Sequence, residues 1–75
     1  MPMVKVDFRA TGIRIYQLMA DKGLNPDKVA SKMGLAKMSV YKWTYGTSFP
    51  RIEHLVELSD LLEVPIEEIL VVERR

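Results

Sequence analysis

The sequence predicts an all-α protein, a compact five-helix bundle that could add short terminal strands, and three observations carry that expectation. Apolar residues recur at helical spacing over most of the 75 residues. Start and stop signals, Asn25 with Pro26, Pro50 and Pro65 against Gly23, Gly34 and Gly46, cut the chain into short helical segments. The segments on either side of Gly34 are separated by only a few residues.

The chain starts with VKVDF, whose alternation of apolar and polar residues suits a short strand, with ILVV at 69 to 72 as the only candidate partner. After Thr11 and Gly12, IRIYQLMADKG places Ile15 and Leu18 at helical spacing and closes on Gly23, which gives helix one. In NPDKVASKMG, Asn25 is a good N-cap, Pro26 suits the first helical position, and Asp27 complements the positive helix start. Val29, Ala30 and Met33 form its inward face, and Gly34 ends helix two. Helix three starts near Ala36 or Lys37, runs to about Tyr45 and stops at Gly46. Beyond TSFP, helix four carries the stripe Ile52, Leu55, Leu58 or Ser59, and Leu62. Pro65 breaks that pattern and opens a short fifth helix, IEEIL, with Ile66, Ile69 and Leu70 turned back on the bundle.

Residues 1 to 75 are read as a single small domain, near the size at which one core suffices for folding. The absence of cysteine removes thiol catalysis, disulfides and Cys-ligated zinc, and a lone His54 offers no metal-ligand set, so no cofactor, metal or catalytic site is expected. Carboxylates in helices four and five have no companion nucleophile or glycine-rich phosphate loop, which makes an enzyme the poorest reading. Without a signal peptide or an apolar run approaching the roughly 20 residues of a membrane span, a cytoplasmic protein is expected. A net charge of +1 conceals a segregation: Lys28, Lys32, Lys37, Lys42 and Arg51 lie in a stretch, 28 to 52, that contains no acid. From 53 to 73 the sign reverses, with Glu53, Glu57, Asp60, Glu63, Glu67, Glu68 and Glu73 and no Lys or Arg. Such an order suits a protein that offers one face to a polyanion, with the acidic helices as plain solvated surface.

Two short helices joined by a turn with glycine are the pattern of a helix-turn-helix, here at about 26 to 45. Close helix approach needs a small side chain, supplied by Ala30, and the turn needs a left-handed residue, supplied by Gly34. The second helix must then bury a branched apolar side chain, Val40, followed one turn later by Trp43. Trp43 shares the face of Val40 and is read as core.

The runs RIYQLMADKGL, VASKMGLAKMSVYKWTYG and FPRIEHLVELSDLLEVPIEEIL, in that order, resemble the Cro and lambda-repressor type of helix-turn-helix domain, also called the Xre family. The resemblance spans Thr11 to Leu70. It implies a DNA-binding transcriptional regulator, a repressor, whose recognition helix at about 37 to 45 enters the major groove, and a homodimer on an inverted repeat. It places base contacts on Lys37, Met38, Tyr41 and Lys42, and chemistry agrees. Lysines donate to guanine O6 and N7 or to phosphate, Met38 packs on a thymine methyl, and Tyr41 does either with ring or hydroxyl. Backbone contacts fall on Ser39, Tyr45, Thr47, Ser48 and Arg51, all donors that set position rather than sequence preference.

Three positions depart from the family pattern. Pro26 stands where a polar residue usually anchors a phosphate, Ala36 where serine or threonine usually caps the recognition helix, and Thr44 where an acid is often found. The first two losses keep open a second class of function, a protein-binding helix-turn-helix module such as an antitoxin that covers a toxin. Tyr16 and Tyr45 stay open between packing and contact, and Met38 is read as an exposed interface residue. His54 is read as an exposed helix residue, and Val71 and Val72 with Val4 and Val6 as an edge that a second copy could use.

Overall fold

A computed structural model describes residues 4 to 74. The elements run β1 (Val4–Val6), α1 (Phe8–Asp21), α2 (Pro26–Met33), α3 (Lys37–Tyr45), α4 (Ile52–Leu62), α5 (Ile66–Ile69) and β2 (Val72–Arg74). The five helices are those expected, and the two strands form one antiparallel ribbon. Its register pairs Val4 with Arg74, Lys5 with Glu73 and Val6 with Val72. The partner of β1 is therefore 72 to 74, which overlaps the expected 69 to 72 only at Val72. Ile69 is the last residue of α5 and is fully buried, so the chain must leave that helix before it can extend.

Helix α1 also begins earlier than Ile13, at Phe8. Asp7 caps it, its carboxylate accepting the Ala10 N–H at 2.9 Å, so Thr11 and Gly12 lie inside the helix and not before it. Both are buried for cause. The Thr11 hydroxyl donates to the Val71 carbonyl at 3.3 Å and accepts the Val71 N–H at 2.9 Å, which ties the approach to β2 onto α1. At Gly12 the helix runs against the end of α3: a Cβ there would stand 2.5 Å from the Trp43 carbonyl oxygen and 2.7 Å from that of Thr44. The residue that reads locally as a helix breaker is what lets two backbones meet.

The core gathers Ile15 and Met19 of α1, Val29 and Ala30 of α2, Val40 and Trp43 of α3, Leu55, Leu58 and Leu62 of α4, and Ile69 of α5. Met33, Leu35, Leu18 and Leu70 are half-buried around it. One expected core residue is not there: Ile52 is 68% exposed, because α4 turns Leu55 and Leu58 inward and its first residue stands at the rim. Helix α3 packs on both α1 and α2, so the core holds one side of α3 and leaves the other to solvent.

Candidate nucleic-acid interface

The geometry of α3 is set at its two ends. Asn25 caps α2, its side-chain oxygen accepting the Lys28 N–H at 2.9 Å, and Pro26 occupies the first helical position, where it is buried. Gly34 ends α2 in the left-handed conformation at φ 68°, and the Leu35 N–H returns to the Ala30 carbonyl at 2.9 Å. That turn directs the chain straight into α3. Ala36 precedes α3 in an extended conformation and gives no side-chain cap, as its methyl group requires. At the far end Gly46 is left-handed, and the Thr47 and Ser48 N–H groups return to the Lys42 carbonyl at 3.1 and 3.3 Å.

Successive residues of a helix turn by about 100°, so the buried pair Val40 and Trp43 fixes which residues point away from the core. The direction opposite them falls on Met38 and Tyr45, which are 61% and 65% exposed. Lys42 flanks this face on one side and Tyr41 on the other; Lys42 is exposed and Tyr41 half-buried. Lys37 is exposed at the edge nearest α2, and Ser39 at the edge nearest α4.

Two open grooves border this face. One, of about 330 Å³, is lined by Ser39, Lys42, Ser48, Arg51 and His54 over a floor of Leu35, Trp43 and Phe49. Four expected contact residues are thus brought together: Ser39 and Lys42 from α3, Ser48 from the following loop, Arg51 from the start of α4. His54 joins them. It is half-buried, its ring 5.6 Å from that of Trp43, and not the freely exposed helix residue that its sequence position suggests. Its signal in the sequence is its spacing: three residues after Arg51, it shares a side of α4 with that cation. Thr47 stands apart from the groove, exposed, with its hydroxyl donating to the Lys42 carbonyl at 3.4 Å.

The other groove, of about 520 Å³, lies between α1 and α3 and is lined by Ile13, Tyr16, Gln17, Tyr41, Thr44 and Tyr45. The Tyr41 and Tyr45 rings are 6.1 Å apart. Tyr45 therefore lies with the aromatic side of the face and not with Ser48 and Arg51. Tyr16 is 53% exposed, which places it among surface rather than core residues. Thr44 turns its hydroxyl inward to the Tyr41 carbonyl at 2.8 Å.

A carboxylate also stands here. Asp27 of α2 lies 3.7 Å from the Lys37 ammonium, and its other oxygen is buried without a hydrogen-bond partner among the described residues. The Tyr41 hydroxyl is held above its ordinary pKa, first by hydrogen bonding toward Asp27, then by burial and by the negative charge of that carboxylate. Since Oδ1 has no well-formed partner, the Tyr41–Asp27 contact is an approach and not a completed bond. Among the described residues no cluster of three or more His, Cys, Asp or Glu is arranged to hold a metal, and no helix is long and apolar enough to cross a membrane.

Comparison with solved structures finds the same fold in a restriction-modification controller protein and in a DNA-binding domain. The restriction-modification controller protein C.AhdI from Aeromonas hydrophila superposes with a TM-score of 0.76 at 24% identity, over 84% of this chain and 96% of that one. The DNA-binding domain of BldD from S. venezulae gives 0.71 at 23% identity, over 84% and 94%. A second structure of the BldD DNA-binding domain gives 0.72 at 23%, over 85% and 93%. No curated protein matches by sequence. A family model for the Cro/C1-type helix-turn-helix DNA-binding domain matches residues 14 to 74, which takes in every helix from the second turn of α1 onward. The chain belongs to the Cro/C1-type helix-turn-helix DNA-binding family.

Proposed function

We propose that this protein is a sequence-specific transcriptional regulator of the cytoplasm, a single domain that acts as a repressor by occupying a DNA site and blocking polymerase. Helix α3 enters the major groove, where Lys37, Met38, Tyr41 and Lys42 meet base edges. Ser39, Tyr45, Thr47, Ser48 and Arg51 hold the phosphate backbone and fix the register. Two copies bind an inverted repeat, one half-site each.

The observation that carries this reading is the unpacked side of α3: a helix anchored by Val40 and Trp43 presents Met38, Lys42 and Tyr45 outward. It does so within a stretch, 28 to 52, that contains five cations and no acid. Exposed aromatic and Met side chains beside cations suit a surface of phosphates, sugars and thymine methyls better than bulk water.

The test is the salt dependence of duplex binding by the full chain and by Arg51→Ala. Affinity falls linearly on a log–log plot, and the variant binds all duplexes more weakly with a slope smaller by about 0.9, as loss of one phosphate contact requires. Binding indifferent to salt, or absent, would instead favour the protein-partner reading, for which Pro26 and the uncapped Ala36 are the supporting features.

A further inference from the structure

The acid-free stretch begins one residue after Asp27, and this carboxylate touches the start of the reading helix. Its Oδ2 is 3.7 Å from Nζ of Lys37, the first residue of α3. Its Oδ1 is buried and unpartnered among the described residues. Tyr41, one helical turn beyond Lys37, approaches the same group and feels its charge. A buried oxygen without a partner and an acid beside phosphates both oppose stability or binding. Asp27 also complements the positive start of α2, but Asn25 already caps that helix, and a favourable charge at the helix start does not call for the approach to Lys37.

Resting on the reading of α3 as the recognition helix, we propose that Asp27 is a specificity-determining residue: its carboxylate holds the Lys37 ammonium over the base edges and keeps it from gripping phosphate. An unpaired Lys ammonium is a compact point charge on a flexible stem. A duplex presents it with a phosphate charge about every 1.7 Å of helix axis. Phosphate contact carries no sequence information. With Asp27 alongside, Lys37 gains little from a phosphate, yet the 3.7 Å contact is an ion pair and not a hydrogen bond, so the ammonium N–H donors stay available for guanine O6 and N7. The same carboxylate repels phosphates in misregistered complexes, so discrimination rises while total affinity falls.

The test is a cycle of four full-length chains, unaltered, Asp27→Asn, Lys37→Ala and the double variant. Each is titrated with salt against a duplex selected by the unaltered chain, an unrelated duplex, and the selected duplex with single guanines replaced. Asp27→Asn is expected to bind the unrelated duplex roughly fivefold more tightly at about 0.15 M salt, with a slope steeper by about 0.9, and to lose preference at one guanine. Lys37→Ala leaves the slope unchanged where the carboxylate is kept, and in the Asp27→Asn background reduces it by about 0.9, the share of one phosphate contact. Asp27→Glu keeps the preference. Helical circular dichroism and a cooperative thermal transition like those of the unaltered chain report that Asp27→Asn keeps its fold; should that variant fail to fold, Asp27→Ser takes its place. An Asp27→Asn chain with unaltered slope and preference overturns the assignment alone. So does a Lys37→Ala effect of equal size in both backgrounds. An unaltered chain that distinguishes none of the duplexes overturns the recognition-helix reading itself, and the role of Asp27 with it.

Discussion

Replacing Gly12 by alanine sets helix propensity against packing, and the two effects have opposite signs. Gly12 lies inside α1, where alanine is favoured over glycine by about 1 kcal/mol. The added methyl group, however, would stand 2.5 Å from the Trp43 carbonyl oxygen, 2.7 Å from the Thr44 carbonyl oxygen and 2.9 Å from the Thr44 carbonyl carbon. All three are main-chain atoms, so no side-chain rotation relieves the clash. Restoring ordinary contact at 3.4 Å requires α1 and α3 to separate by the difference from 2.5 Å, about 0.9 Å. Overpacking of this kind costs typically 1–3 kcal/mol, and three backbone contacts place it toward the upper end. The net expectation is a loss of about 1–2 kcal/mol, or a fall in Tm of roughly 5–15 °C for a domain of this size. Urea and thermal unfolding measure it directly. Gly34→Ala serves as the control: nothing lies within 4 Å of its Cβ, so only the left-handed backbone at φ 68° opposes the change, at about 1 kcal/mol. A Gly12→Ala chain as stable as the unaltered one, or more stable, would refute the close approach of α1 and α3.

Thr11→Val leaves the Val71 N–H and carbonyl without the hydroxyl that now pairs with both; a loss of about 1–3 kcal/mol is expected, with faster amide exchange at Val71 as the local readout. Ala36→Ser supplies the cap that α3 lacks and should raise stability by about 1 kcal/mol, seen as a higher Tm. The Glu63 carboxyl is held below its ordinary pKa by the Lys22 hydrogen bond at 2.7 Å, and by the charge of that ammonium. Its folded value being the lower one, the pair's stabilisation is present above the ordinary carboxylate range and fades as pH falls through the folded value. Lys22→Ala should therefore return Glu63 to ordinary titration by NMR and remove that acid-side dependence, while an unmoved Glu63 would rule out the pair in solution.

The helix-turn-helix was legible because its requirements are local. Asn25, Pro26 and Gly34 each act within a turn of their own position, and Val40 with Trp43 fix a face by spacing alone. The start of α1 was not, because Gly12 is chosen by its contact with Trp43 and Thr44, far along the chain, and local reading takes it for a boundary. The same reason moved the strand partner: that Ile69 is buried against the bundle is a tertiary fact. In the candidate interface, the family resemblance, with residue chemistry in agreement, pointed to Ser39, Lys42, Ser48 and Arg51, which the fold gathers around one groove. The contacts of Asp27 and His54 with α3 were not legible, since each residue belongs to a neighbouring helix and meets α3 only through packing.

The most direct measurement of the central claim is selection of bound duplexes from a random pool at about 0.15 M salt, with the unaltered chain and with a Lys37→Ala, Lys42→Ala double variant. An enriched inverted repeat that disappears with the variant is the predicted result, the signature of a dimer reading sequence through α3. No enrichment with either chain, or the same sequence enriched by both, would contradict it.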